Sequence, residues 1–303
     1  MVSDALPGVP LCLTVYMLYA GILPARRPFA EVRAVNVVLL LGWVLHYVYR
    51  GFVHPFIMPY SSPTVAIGIT LAGTFPNILF SYLTAAQLGC TVYPARWGIG
   101  ARFLIGVAVY VMGTVINRWA DLKLRAGRLA MRRQRRDAAS ASSRAHQPPS
   151  HKHGAAASAA AGAAAGAAAT GGDSDDGQMA AAVREALLRA QSGGIAGSAG
   201  REGKDGPPAG GAPSAHEQRL AIRSKYFIPR GGLFELVSCP NYFGELLEWT
   251  GFALASWSWP SLAWALFCAS TFIPRSLTHH RWYKDVFGDE YPAGRRALIP
   301  YLL

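Results

Sequence analysis

The sequence predicts an all-α fold, a multi-span integral membrane helical bundle of about six spans. Three observations carry that expectation. Of the 303 residues, 51% are hydrophobic and only 15% charged, which excludes disordered, collagenous and disulfide-framework classes. Six apolar runs, at 9–23, 35–49, 64–86, 102–117, 242–257 and 260–273, are almost free of charge. A soluble amphipathic helix would carry charge on its outer face. Trp, Tyr, Arg and Lys flank the runs, as anchors do at a membrane interface.

The first run lacks a basic start and a small-residue cleavage site, so it reads as a retained span rather than a signal peptide. The second ends in His46-Tyr47-Val48-Tyr49-Arg50, an aromatic end with a snorkelling Arg. The third alone is comfortably long for a membrane crossing of about 20 residues. The fourth is followed by Arg118, Lys123, Arg125 and Arg128, then by Arg132, Arg133, Arg135 and Arg136. Basic residues mark the cytosolic side of a span. Two further spans return the chain to that side, where the tail carries Arg275, Arg281, Lys284, Arg295 and Arg296. The C-terminus is therefore expected in the cytosol. The same count puts Arg26, Arg27 and Arg33 on the far side, which the rule disfavours.

Three regions follow from composition: membrane spans at 1–128, an insert at 129–220, and a C-terminal membrane domain at 221–303. No Phe, Tyr or Trp occurs from 120 to 225, and that stretch holds 16 Lys and Arg against 9 Asp and Glu. Over half of the net charge of +12 therefore lies in an Ala-, Gly- and Ser-rich segment. Such a segment cannot bury enough apolar surface to offset the entropy of ordering, and it reads as a long mobile cytosolic loop. Its Ala content favours a short helix at 179–191. Its charges lack the interleaved aromatics that stack on bases, so no nucleic-acid partner is expected. The four cysteines show neither CxxC nor paired spacing, so neither a metal site nor a disulfide scaffold is expected.

Polar stripes stand at the cytosolic ends of the runs. Asn117, Asp121, Arg125 and Arg128 fall within about 80° of one helical face, and Asn241, Glu245 and Glu248 within about 60°. Arg275, His279 and Tyr283 repeat at i, i+4, i+8. Each has a plain reading: a basic flank with a solvated Asp–Arg pair, acids at a helix N-terminus, a juxtamembrane anchor. Together they describe a polar pocket open to the cytosol over apolar helices. It would suit an anionic cofactor and a small hydrophobic substrate.

The C-terminal 78 residues resemble the C-terminal domain of the steroid 5α-reductases. The likeness lies in Ile228-Pro229-Arg230-Gly231-Gly232-Leu233-Phe234 and in Asn241-Tyr242-Phe243-Gly244-Glu245-Leu246-Leu247-Glu248-Trp249. It continues through Ala253-Leu254-Ala255-Ser256-Trp257, His279-His280-Arg281-Trp282-Tyr283, Tyr291-Pro292 and Ala297-Leu298-Ile299-Pro300-Tyr301. Upstream it takes in His46-Tyr47-Val48-Tyr49-Arg50-Gly51-Phe52 and Asn117-Arg118-Trp119-Ala120-Asp121. The resemblance implies a multi-pass oxidoreductase of the endoplasmic reticulum membrane, with the lipid bilayer as its setting and no obligate protein partner. It implies NADPH as cofactor and a 3-oxo steroid, reduced at its Δ4 bond, as substrate. Asn117, Asp121, Arg125, Arg128, Asn241, Arg275, His279 and Tyr283 would surround the dinucleotide. Arg128, Arg275 and Arg295 would face its phosphates. Glu245 and Glu248 would hold the cofactor or its Arg neighbours, and Tyr47 would donate to the substrate carbonyl. No GxGxxG follows a strand, so a Rossmann site is not expected.

Three departures stand out. The family has a further N-terminal span. It also has Glu-Leu-Pro where this chain has Ala5-Leu6-Pro7, with Asp4 one residue away. Asp4 substituting for that Glu, a missing upstream segment, or an impaired enzyme would each account for this. Phe227 stands where the animal enzymes have Arg. A polyprenal or very-long-chain 2-enoyl thioester as substrate, or a non-catalytic NADPH- or sterol-binding protein, are the competing expectations.

Overall fold

The structure, a computed structural model, describes residues 8–22, 34–59, 67–145, 222–223 and 225–303. Among them six α-helices carry the fold: α1 (Gly8–Tyr19), α2 (Ala34–Val48), α3 (Ile67–Cys90), α4 (Ala101–Ala145), α5 (Pro240–Ser256) and α6 (Trp259–Phe287). No strand forms among the described residues; a single parallel bridge joins Val237 to Arg296. The 179–191 segment lies outside the described residues, as do Asp4 and Ala5.

Helices 34–57 and 101–143 are long and apolar enough to cross a membrane. α2 continues without a break through a π-turn, Tyr49–Val53, into an α-turn, His54–Ile57. Pro55 has no N–H for the carbonyl four residues back, and the turn before it widens. α4 does not stop where its apolar run ends at 117; it runs on to Ala145. Ala, Arg and Gln after 128 are good helix formers, so propensity continues what burial began.

Cross-helix contacts fix the directions. Asn36 on α2 donates to the carbonyl of Leu88 at 2.6 Å, and Trp43 donates to Ser81 Oγ at 3.2 Å, so α2 and α3 are antiparallel. Tyr110 on α4 donates to the carbonyl of Gly42 at 2.7 Å. Arg50 reaches Asp121, so α4 runs parallel to α2. Phe272 stacks on Tyr242 at 5.2 Å and Trp264 meets Trp249 at 5.7 Å, so α6 is antiparallel to α5. With α1 parallel to α3, through Gly8 at Asn77 and Gly89 at Tyr19, consecutive helices alternate in direction.

The closest pair is α4 with α5, and glycine makes it possible. A Cβ on Gly113 would lie 2.3 Å from the Glu248 nitrogen, and one on Gly251 2.3 Å from the Tyr110 nitrogen. Gly106 and Gly244 are equally tight, at 2.5 Å from Ala255 and Asn117 nitrogens. Each helix thus presents glycines seven residues apart, two turns, to the other's backbone.

Behind this seam lies an aromatic core centred on Trp43, which is fully buried. Trp249, Tyr47, Phe252 and Trp264 surround it with ring centroids 5.0, 5.2, 5.6 and 5.8 Å away. The outer faces are apolar: Leu41, Leu45, Ile105, Val111, Val115 and Leu266 are all exposed. At one end of the bundle Arg102 packs over Trp257 at 4.0 Å and Trp97 at 5.6 Å.

At the other end the tail is tied to the start of α5. Ser238 N–H donates to the Arg296 carbonyl at 2.8 Å, and Arg296 N–H returns a bond to Leu236 at 2.8 Å. The chain enters this corner through Gly231 and Gly232, with φ of 90° and 59°. Gly232 also lies against Trp119, whose ring would be 2.6 Å from a Cβ. Only glycine meets both conditions without strain.

Candidate functional site

The second end of the bundle gathers the C-terminal end of α2, the middle of α4, the start of α5 and the end of α6. Alternating directions bring these ends together. There the polar stripes of three helices meet in one buried ion cluster. His46 Nδ1 lies 2.8 Å from Glu248 Oε1, and its Nε2 lies 3.7 Å from Glu245 Oε1. Arg50 bridges Glu245 at 3.6 Å and Asp121 at 4.0 Å. His54 Nε2 faces Asp121 at 3.3 Å. Asn117 Nδ2 donates to the Asn241 carbonyl at 2.9 Å and approaches Glu245 Oε2 at 3.4 Å.

Burial makes this arrangement necessary. Glu248 is wholly buried, and Asp121, Glu245 and His46 nearly so. An isolated buried charge costs several kcal/mol, and opposite charges with hydrogen bonds are what offset it. Arg50 supplies the charge, and His46 and His54 bring ring nitrogens to 2.8 and 3.3 Å from the carboxylates. Arg118 adds a further cation, donating to Asn117 Oδ1 at 3.0 Å with its guanidinium 3.5 Å from the Tyr49 ring centroid.

Tyr47 sits between the ion cluster and the aromatic core. Its side chain is buried, and its hydroxyl has no hydrogen-bond partner among the described residues. The indole nitrogens of Trp249 and Trp264 are in the same position. An unmatched buried donor costs about 1–3 kcal/mol. The three rings lie 5.7 to 6.5 Å apart in one packed cluster.

A second polar group adjoins on α6 and the tail. Tyr283 stacks on Tyr291 at 5.3 Å. Burial pushes the Tyr283 phenol up, and the charges of Arg128 and Arg295 draw it back; the Arg295 guanidinium lies 4.9 Å from the Tyr291 ring centroid. The Arg295 side chain is buried, donates to the Pro229 carbonyl at 3.2 Å, and leaves its Nε without a hydrogen bond. His279 lies beside Tyr242, centroids 6.0 Å apart. Arg125 donates to the Ile57 carbonyl at 2.8 Å and so ties α4 to the end of α2. Arg275 is exposed on α6. Asp4 lies outside the described residues.

Ser238 holds this corner. Its Oγ lies 2.6 Å from His280 Nδ1 and 2.6 Å from the Tyr291 hydroxyl, and donates to the Arg296 carbonyl at 3.1 Å. Burial, with Lys284, Arg295 and Arg296 nearby, pushes the His280 imidazole below its ordinary 6.5. The unfolded chain then binds a proton that the folded chain refuses, so stability present above pH 6.5 falls as pH drops through that value. Thermal midpoints of His280→Gln are expected to lose part of the acid-side fall seen in the parent chain. An identical fall in both would remove His280 from the explanation.

His54, Arg118, Trp249 and Ser238 belong to these groups but were not singled out in the sequence. For His54 a signal exists: 46, 50 and 54 repeat at i, i+4, i+8. The indoles and Ser238 carry none, because only tertiary packing shows that a donor is unmatched or shared.

Buried polar and charged side chains above an aromatic core, in a helical bundle with apolar outer faces, define a membrane-type helical protein, with two helices long and apolar enough to cross a membrane. A model of the family described as 3-oxo-5-alpha-steroid 4-dehydrogenase matches residues 214–303. The chain is 30% identical over 287 residues to 3-oxo-5-alpha-steroid 4-dehydrogenase 1 of Mus musculus, covering 94% of this chain and 75% of the mouse protein. It is 59% identical over 78 residues to the Rattus norvegicus protein of the same name, covering 26% of this chain and 30% of that one. It is 51% identical over 80 residues to steroid 5-alpha-reductase DET2 of Arabidopsis thaliana, covering 26% and 30%. The matched part spans about a third of the length of several such relatives. The chain belongs to the 3-oxo-5-alpha-steroid 4-dehydrogenase family.

Proposed function

We propose that the chain is an NADPH-dependent oxidoreductase that reduces the Δ4 bond of a 3-oxo steroid to the 5α product. The observation that carries this reading is the Tyr47 hydroxyl, buried at the edge of an aromatic cluster with no hydrogen-bond partner among the described residues. An enone carbonyl is the matching acceptor, and the four-ring nucleus of a steroid suits a cage of Trp43, Trp249 and Trp264. The names of the relatives support the same substrate class.

The site residues fit a dinucleotide. Arg295 Nε is a buried donor that makes no hydrogen bond among the described residues, and Asp121 Oδ2 is a buried acceptor facing His54 at 3.3 Å and Arg50 at 4.0 Å. Arg295 and Arg128 would hold phosphate oxygens, and Tyr283 with Tyr291 would pack on a flat ring. Asn117, Asp121, Arg125, Asn241, Arg275 and His279 are proposed around the remainder. Glu245 and Glu248 hold His46 and Arg50, and so the α2 end that carries Tyr47. NADPH, when bound, supplies a hydride for the enone β carbon. Tyr47 would donate to the carbonyl oxygen, on which negative charge develops in the transition state, in a site from which Trp43, Trp249 and Trp264 would exclude water. A preorganised donor in such a place is worth a few kcal/mol.

The setting is proposed to be the endoplasmic reticulum membrane, crossed about six times, with the C-terminus in the cytosol. Support comes from the alternating helix directions, the apolar outer faces, and an Arg-rich site end opposite the Trp97, Arg102 and Trp257 belt. Membranes containing the chain, given NADPH and a Δ4-3-ketosteroid, are expected to form the 5α-dihydro product. Turnover of a polyprenal or a 2-enoyl thioester, with the steroid untouched, would replace the substrate and keep the fold. Binding of NADPH without any turnover would remove the enzyme reading.

A further inference from the structure

We propose that Trp249 is a second donor to the reacting carbonyl, its indole N–H joining the Tyr47 hydroxyl on the same oxygen. The proposal rests on the reductase reading above and deepens it. Three observations carry it. Trp249 is fully buried, yet its Nε1 has no hydrogen-bond partner among the described residues. Its ring lies 6.0 Å from the Tyr47 ring at an interplanar angle of 31°, a nearer and flatter neighbour than Trp264 at 6.5 Å and 52°. Two other indoles are satisfied: Trp43 donates to Ser81 Oγ at 3.2 Å and Trp97 to the Ala255 carbonyl at 3.1 Å. Two core indoles, Trp249 and Trp264, stay unmatched among the described residues, and Trp249 is the one nearer the unmatched Tyr47.

Chemistry sets what such a pair accepts. An indole N–H only donates, and it gives up no proton at working pH. It therefore suits a carbonyl oxygen that gains charge, and it offers nothing to a ligand group that must itself donate. Two fixed donors on one oxygen strengthen as negative charge grows there, which favours the transition state over the bound ketone. Trp249 follows Glu248, whose Oε1 is held by His46 at 2.8 Å. The ion pair that seats Glu248 thus also fixes the backbone from which the indole projects.

The direct test reads the indole N–H itself. The chain contains 8 Trp, so the full-length protein in detergent or nanodiscs, labelled with 15N in its indoles, gives at most that many indole resonances. The Trp249 peak is assigned by its absence in Trp249→Phe. Two non-reacting steroids are added in turn with NADP+: a saturated 3-ketone and its 3-deoxy counterpart. The expected result is a downfield movement of the Trp249 proton with the ketone and not with the deoxy compound, while the Trp43 peak stays in place. Should Trp249→Phe fail to fold, the unaltered protein still decides, because no ketone-specific downfield peak at all overturns the proposal. Ketone binding that moves the Trp264 peak instead overturns it too. Failure of either steroid to bind overturns it together with the steroid reading, whereas binding without an indole response overturns it alone. In turnover, Trp249→Phe is expected to lower kcat about 10²-fold with KM for the steroid changed less than threefold. A rise in KM at unchanged kcat would make the ring, not the N–H, the part that matters.

Discussion

Tyr47→Phe is expected to lower kcat about 10²- to 10³-fold while leaving NADPH binding intact. The change removes one oxygen and keeps the ring. That ring packs against Trp43 at 5.2 Å and His46 at 5.1 Å, so the cage and the ion cluster persist. The hydroxyl makes no hydrogen bond among the described residues, so its removal leaves none of them unmatched and need not destabilise the fold. Loss of rate with unchanged or raised thermal stability is the distinctive outcome. Single-turnover measurement on purified protein, with cofactor fluorescence for binding, checks it. Full activity in Tyr47→Phe would take the residue out of the chemistry.

Gly113→Ala is expected to have the largest effect on stability. A single methyl group there would meet backbone on three counts: Glu248 nitrogen at 2.3 Å, Gly244 oxygen at 2.5 Å and Glu248 Cα at 2.8 Å. Backbone cannot turn aside as a side chain does, so α4 and α5 must separate. Overpacking of this kind costs roughly 1–3 kcal/mol, and Leu at the same place would cost more. The site suffers with the fold, because Glu248 and Asn117 lie on the two helices being forced apart. Gly294→Ala serves as the control, since nothing lies within 4 Å of its Cβ position. Its thermal midpoint should match the parent, and an equal midpoint for Gly113→Ala would contradict the glycine seam.

Much of this architecture is legible in the sequence, and the reasons are physical. Apolar runs mark helices because a membrane or a core removes charge from every face. The runs do not set where helices end. α4 reaches Ala145, well beyond its apolar part, because helix propensity carries on after burial stops. Polar stripes at i, i+4 spacing are readable as faces, and those of α4 and α5 do meet at Asn117 and Glu245. Their partners are harder to find. His54 and Arg50 share the face of His46, yet the π-turn at Tyr49–Val53 shifts the phase between them. The glycines at 106, 113, 244 and 251 repeat every seven residues, but only the paired structure shows which backbone each one faces. Unmatched donors such as the Trp249 indole carry no pattern, because being unmatched is a property of the packed state.

Tyr47 is proposed to polarise the carbonyl of an enone whose β carbon accepts the hydride. This is tested most directly by turnover of a Δ4-3-ketosteroid with NADPH deuterated at the transferring C4 position. The account predicts one deuterium at C5 of the product, on the α face, and a proton from water at C4. A product with deuterium at the carbinol carbon, from reduction of the carbonyl itself, would contradict it.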